Sequence, residues 1–284
     1  MTARPELAIA PARDRLDWPH IVEQAAIIVR SYTTGVTLRQ LFYRLVVAAL
    51  IPNLSGAYKR LSATTAAARR EGRFPDLIDQ TRTIHCYQTF QGVADARAWL
   101  ADVYRRDRTE GQDVSLYLGV EKHGIVAQLE EWFGDLGIPI LALGGYSSET
   151  YVREITADQR AQQRPAILLY AGDWDPSGED ILRDFMERTG GCFDQMVRVA
   201  LTSAQVEQYG LPEMPGKDRD SRAAAFTRRH GRLAQVELDA LDPDTLKDLY
   251  QAGINRFWDT SRYEAVLERE AQERRSLQRQ VRRL

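Results

Sequence analysis

Three carboxylates in this chain carry the spacing and neighbours that suit a hard metal ion. Asp173 and Asp175 form a D-x-D pair, with Gly172 before it and Pro176-Ser177-Gly178 after it. Alternate side chains of an extended segment point the same way, so both aspartates can face one cation. Glu121 lies 52 residues upstream and directly follows an apolar run at 114–120, as the aspartates follow another at 166–171. Mg²⁺ prefers oxygen ligands and keeps several waters, which leaves room for a phosphate. Such an ion stabilises the negative charge of a phosphoryl transition state and orients the attacking oxygen. Phosphodiester chemistry with Mg²⁺, or with Mn²⁺ substituting for it, is the expectation. The turn at 176–178 leads into a helix N-terminus, itself favourable to phosphate. Ser177 reads as the cap of that helix and Asp180 as its capping-box partner. Lys122 and His123 stand next to Glu121 and can contact phosphate.

The elements that must position these groups alternate between strand and helix. Strands are expected at 114–120, 138–143, 166–171 and 197–201, and a short strand-like stretch at 236–238. Helices are expected at 124–133, 148–163, 177–189 and 242–254. This alternation predicts an α/β domain over 109–258 with a parallel, Rossmann-like sheet covered on both faces. Ligands of such sheets bind beyond the carboxyl ends of the strands, where Glu121, Asp173 and Asp175 fall. The polar, proline-bearing stretch 211–232 reads as an insertion loop.

The first part of the chain has a different rhythm. Residues 1–16 lack periodicity and read as a flexible arm. Ile21, Val22, Ala25, Ile28 and Val29 share one helical face. Gly35 ends that helix and Thr37 is a good N-cap for the next. A third helix over 57–71 carries Lys59, Arg60, Arg69 and Arg70. Three short helices, the last one basic, predict a helix-turn-helix or winged-helix DNA-binding unit over 17–91. A charged connector helix follows at 92–108, and a charged C-terminal helix at 259–284 ends in a basic cluster that includes Arg274 and Arg283.

Charge is distributed to match. Residues 1–108 hold 16 Lys+Arg and 10 Asp+Glu, or +6, and the remainder 22 and 30, or −8, which sum to the overall −2. A basic half joined to an acidic half suits a nucleic-acid-binding module attached to a metal-binding one. The longest apolar run, 45–51, is too short to cross a bilayer. Two cysteines, Cys86 and Cys192, lie outside any metal-ligand spacing, and with no signal-peptide layout they lead to the expectation of a reduced, cytoplasmic setting.

The second helix holds a further reactive group. With Leu38 at 0° and about 100° per residue, the stripe of Leu38, Leu41, Phe42, Leu45, Val46 and Ala49 centres near about 10–20°. On the same wheel Arg39 lies near about 100° and Tyr43 near about 140°, off the core face and one turn apart. An Arg–Tyr pair on an exposed flank can hold phosphate and favour the phenolate, which can attack a phosphodiester.

Glu121-Lys122 and Gly172-Asp173-Trp174-Asp175-Pro176-Ser177-Gly178 resemble the glutamate and D-x-D-P-x-G motifs of a Toprim domain. That domain is shared by topoisomerases, DnaG-type primases and several nucleases. The Asp-Pro-x-Gly form most resembles the A subunit of topoisomerase VI and the related meiotic double-strand-break protein. Glu237-Leu238-Asp239-Ala240-Leu241 resembles a further acidic stretch near the domain's end. Thr37-Leu38-Arg39-Gln40-Leu41-Phe42-Tyr43 resembles the winged-helix segment of the same family whose last tyrosine is the transesterification nucleophile. The resemblance covers roughly 20–250, in the same domain order. It implies Mg²⁺ on Glu121, Asp173 and Asp175, and double-stranded DNA as substrate. It also implies Tyr43 as nucleophile with Arg39 assisting, giving a 5′-phosphotyrosyl link. The active unit it implies is a homodimer, in which the winged helix of one protomer faces the Toprim site of its partner. Strand passage in that family needs a separate ATPase subunit, and this chain contains no ATPase region. A hydrolytic Toprim nuclease using water, and a non-catalytic DNA-binding subunit, are the alternative expectations.

Overall fold

A computed structural model describes residues 16–78, 86–215 and 220–282. The described residues form eleven α-helices around a four-stranded parallel sheet. The expected arm 1–16 lies, apart from Leu16, outside the described residues, as does Arg283 of the C-terminal basic cluster.

The sheet is built from the apolar runs that the sequence marks. Strands β1 (Ser115–Val120) and β3 (Ala166–Ala171) are buried at every position. They run side by side in the centre, with Leu118 opposite Leu169 and Val120 opposite Ala171. Strand β2 (Ile140–Ala142) flanks β1, and β4 (Gln195–Ala200) flanks β3. Continuous burial of a parallel strand means that both faces are covered, and the side chains separate with period two. Leu116, Leu118, Val120, Ile167 and Leu169 enter one core; Tyr117, Leu168 and Tyr170 enter another. Gly119 on β1 is held to its size, since a Cβ there would stand 2.8 Å from Leu168 Cδ1.

Helices α5 (His123–Phe133) and α10 (Pro243–Asn255) cover the first face. Tyr250 of α10, fully buried, donates its hydroxyl to the Gly119 carbonyl at 2.7 Å. Helices α6 (Glu149–Gln162) and α7 (Pro176–Arg188) cover the second, through Ile155, Leu182 and Phe185.

The N-terminal helices α1 (Trp18–Ser31), α2 (Leu38–Val47) and α3 (Ser55–Arg70) pack into the first core rather than apart from it. Thr37 and Gln40 close a capping box at the start of α2, as the sequence predicts for Thr37. Gln40 then donates to Gln128 of α5 at 2.8 Å, and Gln128 donates to the Gly35 carbonyl at 2.8 Å. These buried amides satisfy one another and fix α2 against the sheet half. Tyr32 adds a 2.5 Å bond to Asp242, the N-cap of α10.

Three expectations are corrected. Helix α1 stops at Ser31, before Gly35, because Tyr32 turns extended. The stretch 211–232 is more than a loop: it carries β5 (Met214–Pro215) and helix α9 (Ala223–His230), whose Phe226 is buried against Trp174. The short strand expected at 236–238 lies at β6 (Ala234–Gln235), paired with β5, and Val236 makes an antiparallel bridge to Trp174. Between β4 and β5 lies α8 (Ser203–Gln208).

The connector helix α4 (Val93–Val103) packs on the C-terminal helix α11 (Thr260–Arg282). The segment after α4 clasps α11 by charge. Glu270, buried, pairs with Arg108 at 2.8 Å and Arg274 at 2.9 Å, and Glu273 pairs with Arg106 at 2.7 Å. Arg274 of the basic cluster is thus committed to an internal contact. No helix among the described residues is long and apolar enough to cross a membrane.

Candidate active site

Glu121 continues β1 by one residue, its N–H donating to the Ala171 carbonyl at 2.9 Å. Its carboxylate Oε2 accepts the N–H of Asp173 at 2.8 Å, so the ends of β1 and β3 are joined through a prospective ligand. The β3 end stays in the ladder: Gly172 donates to Ala200 at 2.8 Å and Leu201 donates back to Gly172 at 3.0 Å. The crowding demands glycine twice. A Cβ on Gly172 would stand 2.3 Å from the Tyr170 hydroxyl, and one on Gly178 would stand 2.6 Å from the Asp173 carbonyl and 3.0 Å from Glu121 Oε2.

Asp173 is buried and fully engaged. One oxygen accepts the Leu238 N–H at 2.8 Å; the other pairs with Lys122 Nζ at 2.7 Å. Its carbonyl accepts from Arg198 at 2.6 Å. Asp175 is the N-cap of α7, accepting the Gly178 N–H at 2.7 Å. This corrects the expected cap: Pro176 is the first residue of α7, Ser177 is already inside the helix, and Asp180 is not a capping partner but pairs with Tyr146 and Arg183. Pro at the first helical position is compatible with a missing N–H there, so the helix starts two residues earlier than a Ser177 cap would allow.

The structure brings in a third acidic segment. The antiparallel bridge between Trp174 and Val236 carries Glu237 and Asp239 to the same place. Lys122 Nζ lies 3.7 Å from Glu237, and the Arg39 guanidinium forks onto both Glu237 oxygens and stands 3.9 Å from Asp239. Asp173, Glu237 and Asp239 therefore gather around Lys122 and Arg39, with Glu121 and Asp175 beside them, leaving negative charge in excess. Burial first, then Asp173, pushes Glu121 up to about 7, against the Asp173 N–H that favours its charge. Burial likewise raises Asp239 to about 6 and raises Asp173. Burial works against the Lys122 ammonium, yet Asp173 and Glu237 outweigh it and its pKa is raised.

Among the described residues no three His, Cys, Asp or Glu side chains are already grouped as a complete ligand set. Mg²⁺ does not need one, because it binds through one or two carboxylates with waters and substrate phosphate filling the rest. The donors are hard oxygens of the type that ion takes, with both Asp173 oxygens engaged by the Leu238 N–H and Lys122.

Tyr43 departs from expectation. It is 4 % exposed, edge-on to Phe42 with ring centroids 5.3 Å apart. Helix α2 packs against the 238–240 turn, and Tyr58 of α3 meets Phe42 edge-on. Burial and then Glu237 raise the Tyr43 pKa to about 12, outweighing Arg39. The site thus holds the phenol protonated, where the sequence pairing suggested a favoured phenolate.

Arg39 and Tyr43 reach the acidic cluster within one chain. They line a cavity of about 240 Å³ that also includes Glu237. On α3, Lys59, Arg60 and Arg70 are exposed and Arg69 is half-buried, and none makes an ion pair with a described residue. The 11 positions from Lys59 to Arg70 amount to three turns plus about 20°, which sets both on one face. His123 lies against Gly144, whose added Cβ would meet its Nδ1 at 3.0 Å. Sequence reasoning passed over Arg198 and Tyr170. An arginine in an otherwise apolar edge strand was the available signal, and it stacks over Tyr170 at 5.7 Å while bonding Asp173. No protein-family model matches this chain, and no curated protein matches it in sequence.

Proposed function

We propose that this chain cleaves DNA strands in a Mg²⁺-dependent reaction at the cluster of Glu121, Asp173 and Asp175. The observation that carries the reading is the joining of Glu121 to the Asp173 N–H across the ends of β1 and β3, with Asp175 two residues on. The helical N-terminal unit and the sheet that follows are read as a winged helix joined to a Toprim domain, the domain order of the topoisomerase VI A-subunit family. A divalent ion on these carboxylates would neutralise phosphate charge and stabilise the phosphoryl transition state. Lys122 and Arg39 supply positive charge to non-bridging phosphate oxygens beside the acids. Lys59, Arg60, Arg69 and Arg70 grip the backbone of double-stranded DNA, an attraction independent of sequence.

Water is the attacking group that the geometry favours. Tyr43 is buried and its pKa is raised to about 12, so its phenol is a weak nucleophile at neutral pH, whereas a divalent ion held by the acids would itself activate a water. A tyrosine transesterase is the second reading, favoured by the shared cavity of Tyr43, Arg39 and Glu237. Asp173→Asn combined with Asp175→Asn should abolish Mg²⁺-dependent nicking of supercoiled plasmid while the protein still melts cooperatively. Nicking at the wild-type rate by that folded variant would overturn the proposal. Two-strand cutting calls for two copies of the chain, and strand passage for a separate ATPase subunit.

A further inference from the structure

The cavity beside the acidic cluster has a use that metal chemistry does not account for. It opens between the turn after α2 and the start of α3, and Glu237 belongs to its wall and to the acidic cluster alike. Phe42 and Tyr58 supply aromatic surface, meeting edge-on at 5.3 Å. Leu54, 63 % exposed, gives an apolar rim. Asn53, Ser55 and Tyr58 bring polar groups that make no hydrogen bond to any described residue. Glu237 is paired with Arg39, which sets a guanidinium at the edge of the mouth. At about 240 Å³ the space falls below the roughly 300 Å³ at which drug-sized ligand sites begin, and suits one flat ring system.

We propose that this cavity receives a single unstacked nucleobase of the bound DNA, held against Tyr58 and read at its edge by Asn53. The inference rests on the DNA-cleavage reading above and adds a substrate subsite to it. An amide offers a donor and an acceptor side by side, the pairing that matches the N6 and N7 edge of adenine. Enzymes that act on nucleic acid stack extruded or single-stranded bases on aromatic side chains in this way. A base seated there brings its own phosphate to the Arg39–Glu237 edge of the acidic cluster. Lys59 and Arg60, the residues following Tyr58 and exposed, then lie where flanking phosphates run.

The test uses deoxyadenosine 5′-monophosphate as probe and 2-deoxyribose 5-phosphate as its base-less control, each titrated by ligand-observed NMR against the full chain without metal. Binding of the nucleotide at millimolar concentrations, with at least about tenfold weaker binding of the control, is expected, since 1 mM corresponds to only about −4 kcal/mol. Asn53→Ala and Tyr58→Ala should each weaken the nucleotide at least about tenfold, and Tyr58→Phe should keep most of it, as stacking needs only the ring. Equal binding of the control overturns the proposal in favour of a phosphate site. Absent nucleotide binding, or unchanged binding in Asn53→Ala, also overturns it. Should Tyr58→Ala fail to fold, Asn53→Ala decides alone, because the Asn53 side chain holds no partner among the described residues. Plasmid nicking is measured in parallel. A chain that nicks DNA but ignores the nucleotide loses this inference only, and one that binds the nucleotide but never nicks loses the cleavage reading only.

Discussion

Gly178 is the residue on which the geometry of the site turns most sharply. It lies between the Asp173 carbonyl and the Glu121 carboxylate, and its N–H is the one that Asp175 caps. Gly178→Ala places a methyl 2.6 Å from a backbone oxygen that cannot swing away. Overpacking of this kind costs about 1–3 kcal/mol, so the melting temperature should fall. Mg²⁺-dependent nicking should fall at least about tenfold, because displacements near 1 Å at a reacting centre are that costly. Wild-type melting together with wild-type nicking would show that the acids do not need this close approach. Tyr43, by contrast, is buried, and its raised pKa keeps it protonated. Tyr43→Phe removes only the phenolic oxygen and keeps the ring against Phe42. Wild-type nicking with free DNA ends on a denaturing gel is expected. Protein-linked DNA in the wild type that vanishes in the variant would establish the transesterase instead.

Helix α3 acts as a unit. Its buried residues, Ala57, Leu61, Thr65 and Ala68, recur at helical spacing and turn the basic residues outward. Positive charge left without acidic partners is what non-specific DNA affinity requires, and each neutralised phosphate contributes about 0.9 to the slope of log K against log salt. Replacing Arg69 and Arg70 by Ala should lower that slope by about 1–2, measured by fluorescence anisotropy across a salt series. An unchanged slope would place the DNA away from α3. Helix α2 links this face to the chemistry, since its capping-box Gln40 also holds Gln128 of α5 and its Arg39 holds Glu237.

At the scale of the molecule, Arg39 meets Glu237 within one chain, while the resemblance implies a site shared between two protomers. Arg39 and the acidic residues it meets belong to one chain, joined through a shared core. If cutting uses this cis site, mixing Arg39→Ala with Asp173→Asn, each inactive alone, should restore no nicking. A site completed by a partner's winged helix would instead recover part of the wild-type rate, because mixed dimers would hold one intact composite site. The clasp of α11 by Arg106 and Arg108 ties that helix back to the segment that leads into β1.

By itself the sequence determined the strands β1 and β3, the helices between them and the positions of Glu121, Asp173 and Asp175, because continuous apolar runs and the residues that end them are local signals. Thr37 as a cap and the basic face of α3 were legible for the same reason. The cap of α7 is local too, Asp175 rather than Ser177, since Pro176 sets the first helical residue and the carboxylate is in reach of the Gly178 N–H. The tertiary structure alone decided two things. Glu237 and Asp239 join the site because Val236 bridges Trp174, a pairing across more than sixty residues that no window of sequence contains. Tyr43 is buried on a helix, α2, that packs against a turn from the far end of the sheet half. A helical wheel reports which face a helix can bury, but what covers the opposite face depends on residues nearly two hundred positions away.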